Sequence, residues 1–384
     1  MNKQQLITDL QSQGLRVEDG AAGAAGRRGG AGPSDHKAVT IDGTTVMVPI
    51  YTGAADQSPY SVQSYSVQSY SAPSETTRLP AASEQPSDNS HAVRLQREAV
   101  DLGAAIAFPP RPRFYDLATA DGTPYWKIAL LHSRDVLATT VLQTCMRYRD
   151  PATACQFCAI ENSLTEGRTV ARKHPEQLAE VAAAAVALDG VTHMVMTTGT
   201  PSTPDRGAAH LAACAQAVKA RVSLPIQAQC EPPDDFGWFA RLKAAGVDSL
   251  GMHLEAVDPE VRAKIMPGKA EIPVSRYFEA FAAAVAVFGW GQVSTYLLAG
   301  LGDSVEGLTA ACDRLIDMGV YPFVVPFVPI TGTSLAHHPA PTQDFMTAVY
   351  RAVGSRLRRA GMSSAQMNAG CGKCGACSAL SLFE

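Results

Sequence analysis

The sequence predicts an α/β protein: a parallel sheet curled into a partial (β/α)6 barrel over residues 136–335, with a β-containing extension before it and a cysteine-rich tail after it. Three observations predict this. From residue 136 onward, strand-length apolar runs alternate with helix-length, alanine-rich segments. The strand runs are apolar throughout, as strands covered on both faces must be. Connections of helix length join parallel, not antiparallel, neighbours.

The extension, residues 1–135, comes first. Residues 1–20 can form one short helix. Residues 20–33 are glycine-rich and carry Arg27 and Arg28, which fits a mobile loop or a backbone cradle for an anion. Residues 38–50 alternate around Asp42-Gly43, a strong hairpin signal. Residues 55–92 are poor in apolar side chains and contain a five-residue near-repeat from Tyr60 to Tyr70, so they read as disordered and functionally silent. A second hairpin is expected around Asp121-Gly122, with 125–131 as its return strand.

In the barrel, strands are expected at 136–144, 192–198, 225–230, 249–254, 292–299 and 321–328, and helices near 175–189, 205–221, 234–245, 273–288 and 304–318. Leu178, Val181, Ala182, Ala185, Val186 and Leu188 give the first helix an apolar face of helical period, with Pro175 near its start and Gly190 after its end. The tail, residues 336–384, begins with a helix near 342–360, whose Arg351, Arg356, Arg358 and Arg359 read as a solvated face.

Bulk properties exclude several classes. The chain has 384 residues, 46% hydrophobic and 18% charged, with a net charge of −4. That describes a globular protein with ample core, and no basic stripe marks a nucleic-acid partner. The first ten residues are too polar for a secretory signal, and no run of about eighteen apolar residues suggests a membrane span. Of nine cysteines, six fall in two tight groups, which reads as metal ligation in a reducing cytoplasm.

The chemistry concentrates at the carboxyl ends of the strands, where barrels carry function. The first strand leads to Cys145, Cys155 and Cys158, and the second ends in Thr197-Thr-Gly-Thr200. The third ends in Gln227-Ala-Gln-Cys-Glu231, the fourth in His253-Leu-Glu255, the fifth in Gly300-Leu-Gly-Asp303, and the sixth leads to Pro329-Ile-Thr-Gly-Thr333. Three thiolates can hold three corners of an iron–sulfur cubane and leave one iron open, form a structural metal knuckle, or be incidental core cysteines. Cys371, Cys374 and Cys377, at i, i+3 and i+6, are a second ligand set, for a cluster or for zinc. His253 reads as a substrate ligand or a core histidine. Glu231, Asp234 and Asp235 are candidates for the substrate end. Cys230 is a candidate for the barrel chemistry, and Cys214 and Cys312 read as buried packing residues.

The cysteine triplet, with Phe157 before its last member, and the six strand–helix units after it resemble the radical S-adenosylmethionine (SAM) enzymes, whose fold is a TIM-like barrel. The likeness covers about residues 136–335. Gly300-Leu-Gly-Asp303 and Pro329-Ile-Thr-Gly-Thr333 are similar to the branch of biotin synthase, diiron-hydrogenase maturases and lipoyl synthase. Thr197-Thr-Gly-Thr200 and Pro322-Phe-Val-Val-Pro-Phe-Val-Pro-Ile330 resemble a subfamily encoded beside a nitrilase and an acetyltransferase. One departure is the first cysteine gap, nine residues here against three in the common pattern; the extra residues are expected to bulge out while the thiolates converge.

The resemblance implies a [4Fe–4S] cluster on Cys145, Cys155 and Cys158, with SAM chelating its open iron. It implies SAM contacts from Thr197, Thr198 and Gly199, from Glu255, from Arg262 to the carboxylate, and from Gly300, Gly302 and Val328 near the adenine. It implies reductive cleavage of SAM to a 5′-deoxyadenosyl radical that abstracts hydrogen from a small metabolite, nitrogen- or nitrile-linked by the subfamily likeness. An electron donor such as ferredoxin or flavodoxin is implied, and an auxiliary [4Fe–4S] cluster on Cys371, Cys374 and Cys377. General acid–base residues are secondary in such chemistry, and none is assigned. The alternatives are a sulfur-inserting enzyme like biotin synthase, or a non-enzymatic iron–sulfur scaffold or redox protein.

Overall fold

The computed structural model describes residues 1–17, 35–63 and 92–384. The chain opens with the helix Lys3–Gln13, capped by Asn2, whose side chain accepts from Gln5 N at 2.9 Å. A six-stranded sheet follows, made of β1 (Arg16–Val17), β2 (His36–Ile41), β3 (Thr44–Pro49), β4 (Tyr60–Gln63), β5 (Ala92–Arg97) and β6 (Val100–Ala107), in spatial order β1-β4-β5-β6-β2-β3. β2 and β3 are the expected hairpin. Asp42 and Gly43 both take positive φ, 46° and 77°, as a two-residue type I′ turn demands.

Two expectations are corrected in this extension. Residues 55–63 are ordered: β4 pairs with β5 and buries Tyr60 and Val62, the Tyr60 hydroxyl donating to Asp9 Oδ2 at 2.6 Å. The rest of the expected silent segment, 64–91, and the glycine-rich 18–34 lie outside the described residues. The turn at Asp121-Gly122 closes a single bridge, Ala118 to Pro124, and Tyr125–Ile128 is one helical turn, not a return strand. Tyr125 and Ile128 are both buried there, a spacing of three that a helix satisfies and a strand does not.

The barrel sheet is the predicted one. β7 (Leu130–His132), β8 (Val136–Thr140), β9 (His193–Thr197), β10 (Ile226–Gln229), β11 (Ser249–Gly251), β12 (Val293–Ala299) and β13 (Val320–Pro326) lie side by side in that order. β8 to β13 are all parallel, and β7 adds to β8 antiparallel. The barrel sheet therefore begins at Leu130, before residue 136. Helices Pro175–Asp189, Ala208–Arg221, Gly237–Ala244, Val274–Phe288 and Val305–Asp317 cross between the strands, each within a few residues of its predicted span. All seven residues of β13 are buried, as double coverage requires.

The extension and the tail are packed into this body. Val39, Val46, Val48 and Ile106 of the first sheet share one apolar cluster with Leu137 and Met194 of the barrel. The last helix, Gln343–Ala360, meets the first: Gln343 Nε2 donates to Gln5 O at 3.0 Å, and Gln4 Nε2 donates to Leu382 O at 2.6 Å. Ala376, Ala379 and Leu380 are buried, so the tail is an integral part of the core. No helix among the described residues is long and apolar enough to cross a membrane.

Candidate active site

β8 ends at Thr140, and the chain then runs as a loop carrying the first three thiols. Gly199 holds this loop at close range. Its N–H donates to Leu142 O at 2.8 Å, and a Cβ placed there would lie 2.2 Å from Thr144 O. Only glycine permits that approach. Met146 N donates to Thr200 O at 2.9 Å, so the Thr197–Thr200 segment cradles the approach to Cys145. On the far side, Gln156 N donates to Ile265 O at 2.9 Å, and Phe157 packs on Ile265, Leu301 and Phe327. Cys158 N donates to Cys155 O at 3.0 Å, a tight turn that keeps these two thiols together.

The long gap between Cys145 and Cys155 is tied down near both ends, while its middle, residues 149–152, is exposed. Arg147 is 7% exposed and forms an ion pair with Glu231, just past β10, at 2.6 Å. Thr153 O accepts from Gly268 N at 3.2 Å, and a Cβ on Gly268 would meet that oxygen at 2.6 Å. Arg147 and Thr153 thus anchor the loop to the segments after β10 and before Lys269. Glu231, at the strand end, supplies the carboxylate that pairs the buried Arg147 charge.

The other predicted residues fall as follows. Thr197 Oγ1 lies 2.9 Å from Thr140 Oγ1, and Thr198 Oγ1 donates to Gly199 O at 2.8 Å. Glu255 has φ +66°, uncommon for a residue with a side chain. Its carboxylate accepts from Lys269 Nζ at 3.1 Å, and both groups are largely buried. Arg262 is not free for a carboxylate, contrary to expectation. It is 2% exposed, and its guanidinium donates to the carbonyls of Leu254, Ala256, Lys269 and Ile272. Gly300 and Gly302 abut Pro341 and Val261, and Asp303 accepts from the backbone of Val257 and Asp258. Val328 faces the central cavity. His253 has both ring nitrogens engaged: Nδ1 accepts from Tyr296 N at 3.2 Å, and Nε2 lies 3.1 Å from Gln229 Oε1. Burial pushes this histidine down to about 4, so it is neutral. Asp234 and Asp235 pair with Arg206 and Arg241 on the surface. Cys230, Cys214 and Cys312 are buried.

The second thiol group lies where sequence reasoning did not place it. The short helix Cys371–Cys374 packs against the amino-terminal halves of the strands: a Cβ on Gly370 would meet Gln227 at 2.3 Å, and one on Gly372 would meet Tyr321 at 3.0 Å. Cys371 and Cys374 touch Val136, Ala138 and Val195. The extension secures this loop, Met47 N and Gln11 Nε2 both donating to Ala376 O, at 2.7 and 2.9 Å. Gln229 Nε2 lies 3.2 Å from Cys371 Sγ, and His132 Nε2 lies 3.5 Å from Cys377 Sγ.

Both thiol groups suit a metal group. Burial pushes Cys155 up to about 12 and Cys158 up to about 11, and in the lower group Cys374 up to about 12. Such thiols stay protonated unless a cation binds them, and coordination deprotonates a thiol outright. Among the described residues, no three His, Cys, Asp or Glu side chains are arranged to hold a single metal ion. A cubane instead takes each thiolate on a different iron.

A cavity of about 300 Å³ connects the two ends. Phe157, Glu255 and Phe327 line it near the upper loop; Cys371, Cys374 and Cys377 line it below. Its walls include Val136, Val195 and Leu298. A second cavity, of about 340 Å³, is lined by Trp126, Cys158, Lys173 and, like the first, by Thr197 and Ile330.

Residues 148–315 match the radical SAM superfamily. Residues 148–315 thus form a radical SAM domain. This family implies a [4Fe–4S] cluster and SAM. The bacteriochlorophyllide c C-7(1)-hydroxylase of Chlorobaculum limnaeum is 33% identical over 125 residues, covering 32% of this chain and 31% of that protein. The chain therefore spans about a third of that relative's length. A methylornithine synthase structure is 16% identical, covering 63% of this chain and 72% of that one, with a TM-score of 0.45. A radical SAM methyltransferase from Sphaerobacter thermophilus is 15% identical, covering 74% and 75%, with a TM-score of 0.44. The FeFe-hydrogenase maturase HydG from Carboxydothermus hydrogenoformans is 18% identical, covering 59% and 51%, with a TM-score of 0.42.

Proposed function

We propose that this chain takes a hydrogen atom from a small metabolite bound in the barrel cavity. A [4Fe–4S] cluster on Cys145, Cys155 and Cys158 with bound SAM would supply the 5′-deoxyadenosyl radical. The observation that carries the reading is one cavity lined by Phe157 and Glu255 at one end and three further thiols at the other. Its volume is at the low end for ligand pockets, which suits a small substrate.

The chain's own groups orient and exclude. Gly199 and Arg147 fix the cysteine loop from two sides, and Phe157 and Phe327 keep water from the upper end. Thr197, Thr198 and Gly199 offer backbone carbonyls for the SAM amino group, Glu255 stands near, and Gly300, Gly302 and Val328 flank the adenine. With Arg262 spent on backbone carbonyls, Lys269, paired with Glu255, would meet the SAM carboxylate. Cys371, Cys374 and Cys377 hold an auxiliary [4Fe–4S] cluster at the cavity floor. A nitrogen- or nitrile-linked substrate rests on the subfamily resemblance, and a ferredoxin or flavodoxin donor and a cytoplasmic site follow from the same chemistry. Sulfur insertion is the second reading, favoured by the thiols that face the cavity.

The test is anaerobic reconstitution followed by dithionite and SAM. 5′-Deoxyadenosine is expected. Its absence with the cluster intact overturns the proposal.

A further inference from the structure

We propose that the second cavity holds an anionic group of the substrate, a carboxylate or a phosphate. This deepens the radical-enzyme reading and rests on it only in making the anion part of a substrate.

The two cavities differ in charge. Among the described residues, those lining the first include Glu255 and three thiols but no lysine or arginine. Those lining the second include Lys127, Arg168 and Lys173 but no aspartate or glutamate. A pocket lined by one sign of charge concentrates ligands of the other. The two share a wall: Ala138, Thr197 and Ile330 line both, and Cys158 of the upper loop lines the second. A small molecule anchored by its anion beside Lys173 therefore has its remainder at the border of the first cavity.

Lys173 is satisfied in hydrogen bonds but not in charge. It is 1% exposed, and its Nζ donates to Gln143 Oε1, Thr169 Oγ1 and Val170 O, all neutral acceptors. Buried charges are ordinarily paired. Here burial lowers the pKa with no acidic neighbour holding it up. The acceptors are themselves fixed: Gln143 Nε2 donates to Ile160 O at 2.8 Å, and Thr169 Oγ1 donates to Lys127 O at 3.1 Å. Arg168 meets Glu166 through Nε, and Glu166 does not line the cavity. That contact leaves the terminal guanidinium nitrogens for an oxyanion, which they match in geometry. Lys127 Nζ stands 5.3 Å from the ring of Trp126, which also lines the cavity. An anion here would give the buried ammonium its missing counter-charge.

The experiment is equilibrium dialysis of the full chain, reconstituted anaerobically with iron and sulfide, against radiolabelled succinate and radiolabelled inorganic phosphate. Saturable binding of at least one probe is expected, and neutral succinamide should not compete. Which probe binds separates carboxylate from phosphate. Arg168→Gln and Lys173→Gln should each weaken the anion about tenfold or more, and Arg168→Lys should retain part of the affinity. Arg168 is partly exposed, so its variants read the site even if Lys173→Gln does not fold. Binding should persist with saturating SAM. Displacement by SAM gives the cavity to SAM's own carboxylate and overturns the substrate assignment. No saturable binding of either probe, or binding that Arg168→Gln leaves unchanged, overturns the inference while 5′-deoxyadenosine formation still stands. Anion binding without 5′-deoxyadenosine, the cluster being intact, overturns the radical-enzyme reading instead.

Discussion

Gln229 Nε2 stands 3.2 Å from Cys371 Sγ, and the same amide's oxygen accepts from His253 Nε2 at 3.1 Å. The direction is fixed by the backbone. Tyr296 N donates to His253 Nδ1, so the ring proton sits on Nε2 and points at Gln229. A neutral histidine thus orients the amide that donates to the Cys371 sulfur, a ligand of the proposed lower cluster. Changing Gln229 to Leu strands the buried His253 N–H, at about 1–3 kcal/mol, and removes a donor from the sulfur. The expected outcome is weaker iron retention in the lower site and a more negative potential for that cluster, with SAM cleavage preserved. Iron counts and a redox titration check it.

The two thiol groups should separate by function. Replacing Cys145, Cys155 and Cys158 by Ala is expected to abolish 5′-deoxyadenosine formation and remove about half the iron. Replacing Cys371, Cys374 and Cys377 should also remove about half the iron, while 5′-deoxyadenosine still forms. Unchanged iron in the second variant refutes the auxiliary site. Iron and sulfide analysis, beside chromatography of the nucleoside, reads both.

Gly199 offers a test of the loop's support. A Cβ there would lie 2.2 Å from Thr144 O, a backbone atom that cannot swing aside. Gly199→Ala should cost about 1–3 kcal/mol by overpacking and displace the loop that carries Cys145. Loss of SAM binding is expected together with a lower melting temperature. Gly53→Ala, with nothing within 4 Å, is the neutral control.

Arg147 and Glu231 test the long cysteine gap. Removing one member of a buried pair leaves a charge without its partner, at about 3–5 kcal/mol. Glu231→Gln alone should destabilise the chain, and Arg147→Met with Glu231→Leu should recover most of the loss. If the gap were a loose loop, both variants would be near neutral by denaturant unfolding.

The barrel was legible because its signals are local and strong. Apolar runs bounded by Pro175 and Gly190 set a strand–helix rhythm, and the structure follows it closely. The first thiol group was legible by its position after β8. Less visible was anything that depends on distant chain segments meeting. Arg262 read as a SAM-binding arginine, since nothing local announces four carbonyls around it. Arg147 and Glu231 are 84 residues apart, and Gln229 and Cys371 are 142 apart. The lower thiols read as ligands by their spacing alone. Their place at the amino-terminal side of the sheet depends on how the tail folds back, and no pattern in 336–384 encodes that. Tyr60 was hidden inside a polar near-repeat whose first strand is ordered by Asp9, far upstream.

Lys173 makes stability depend on pH. It is 1% exposed and donates to Gln143 Oε1, Thr169 Oγ1 and Val170 O at 2.9, 2.7 and 2.9 Å. Burial still lowers it from 10.5 to about 7. Its folded value lies below its unfolded one, so between these two values the unfolded chain binds more protons, and stability rises with pH. The gain is full above the unfolded value, is lost as pH falls toward 7, and is constant below that. The slope is at most about 1.4 kcal/mol per unit. Guanidinium unfolding of the metal-free chain at pH 7, 8 and 9 should show rising stability relative to Lys173→Met. Parallel profiles for the two proteins would mean that the ammonium stays charged across the whole range, its three acceptors outweighing burial.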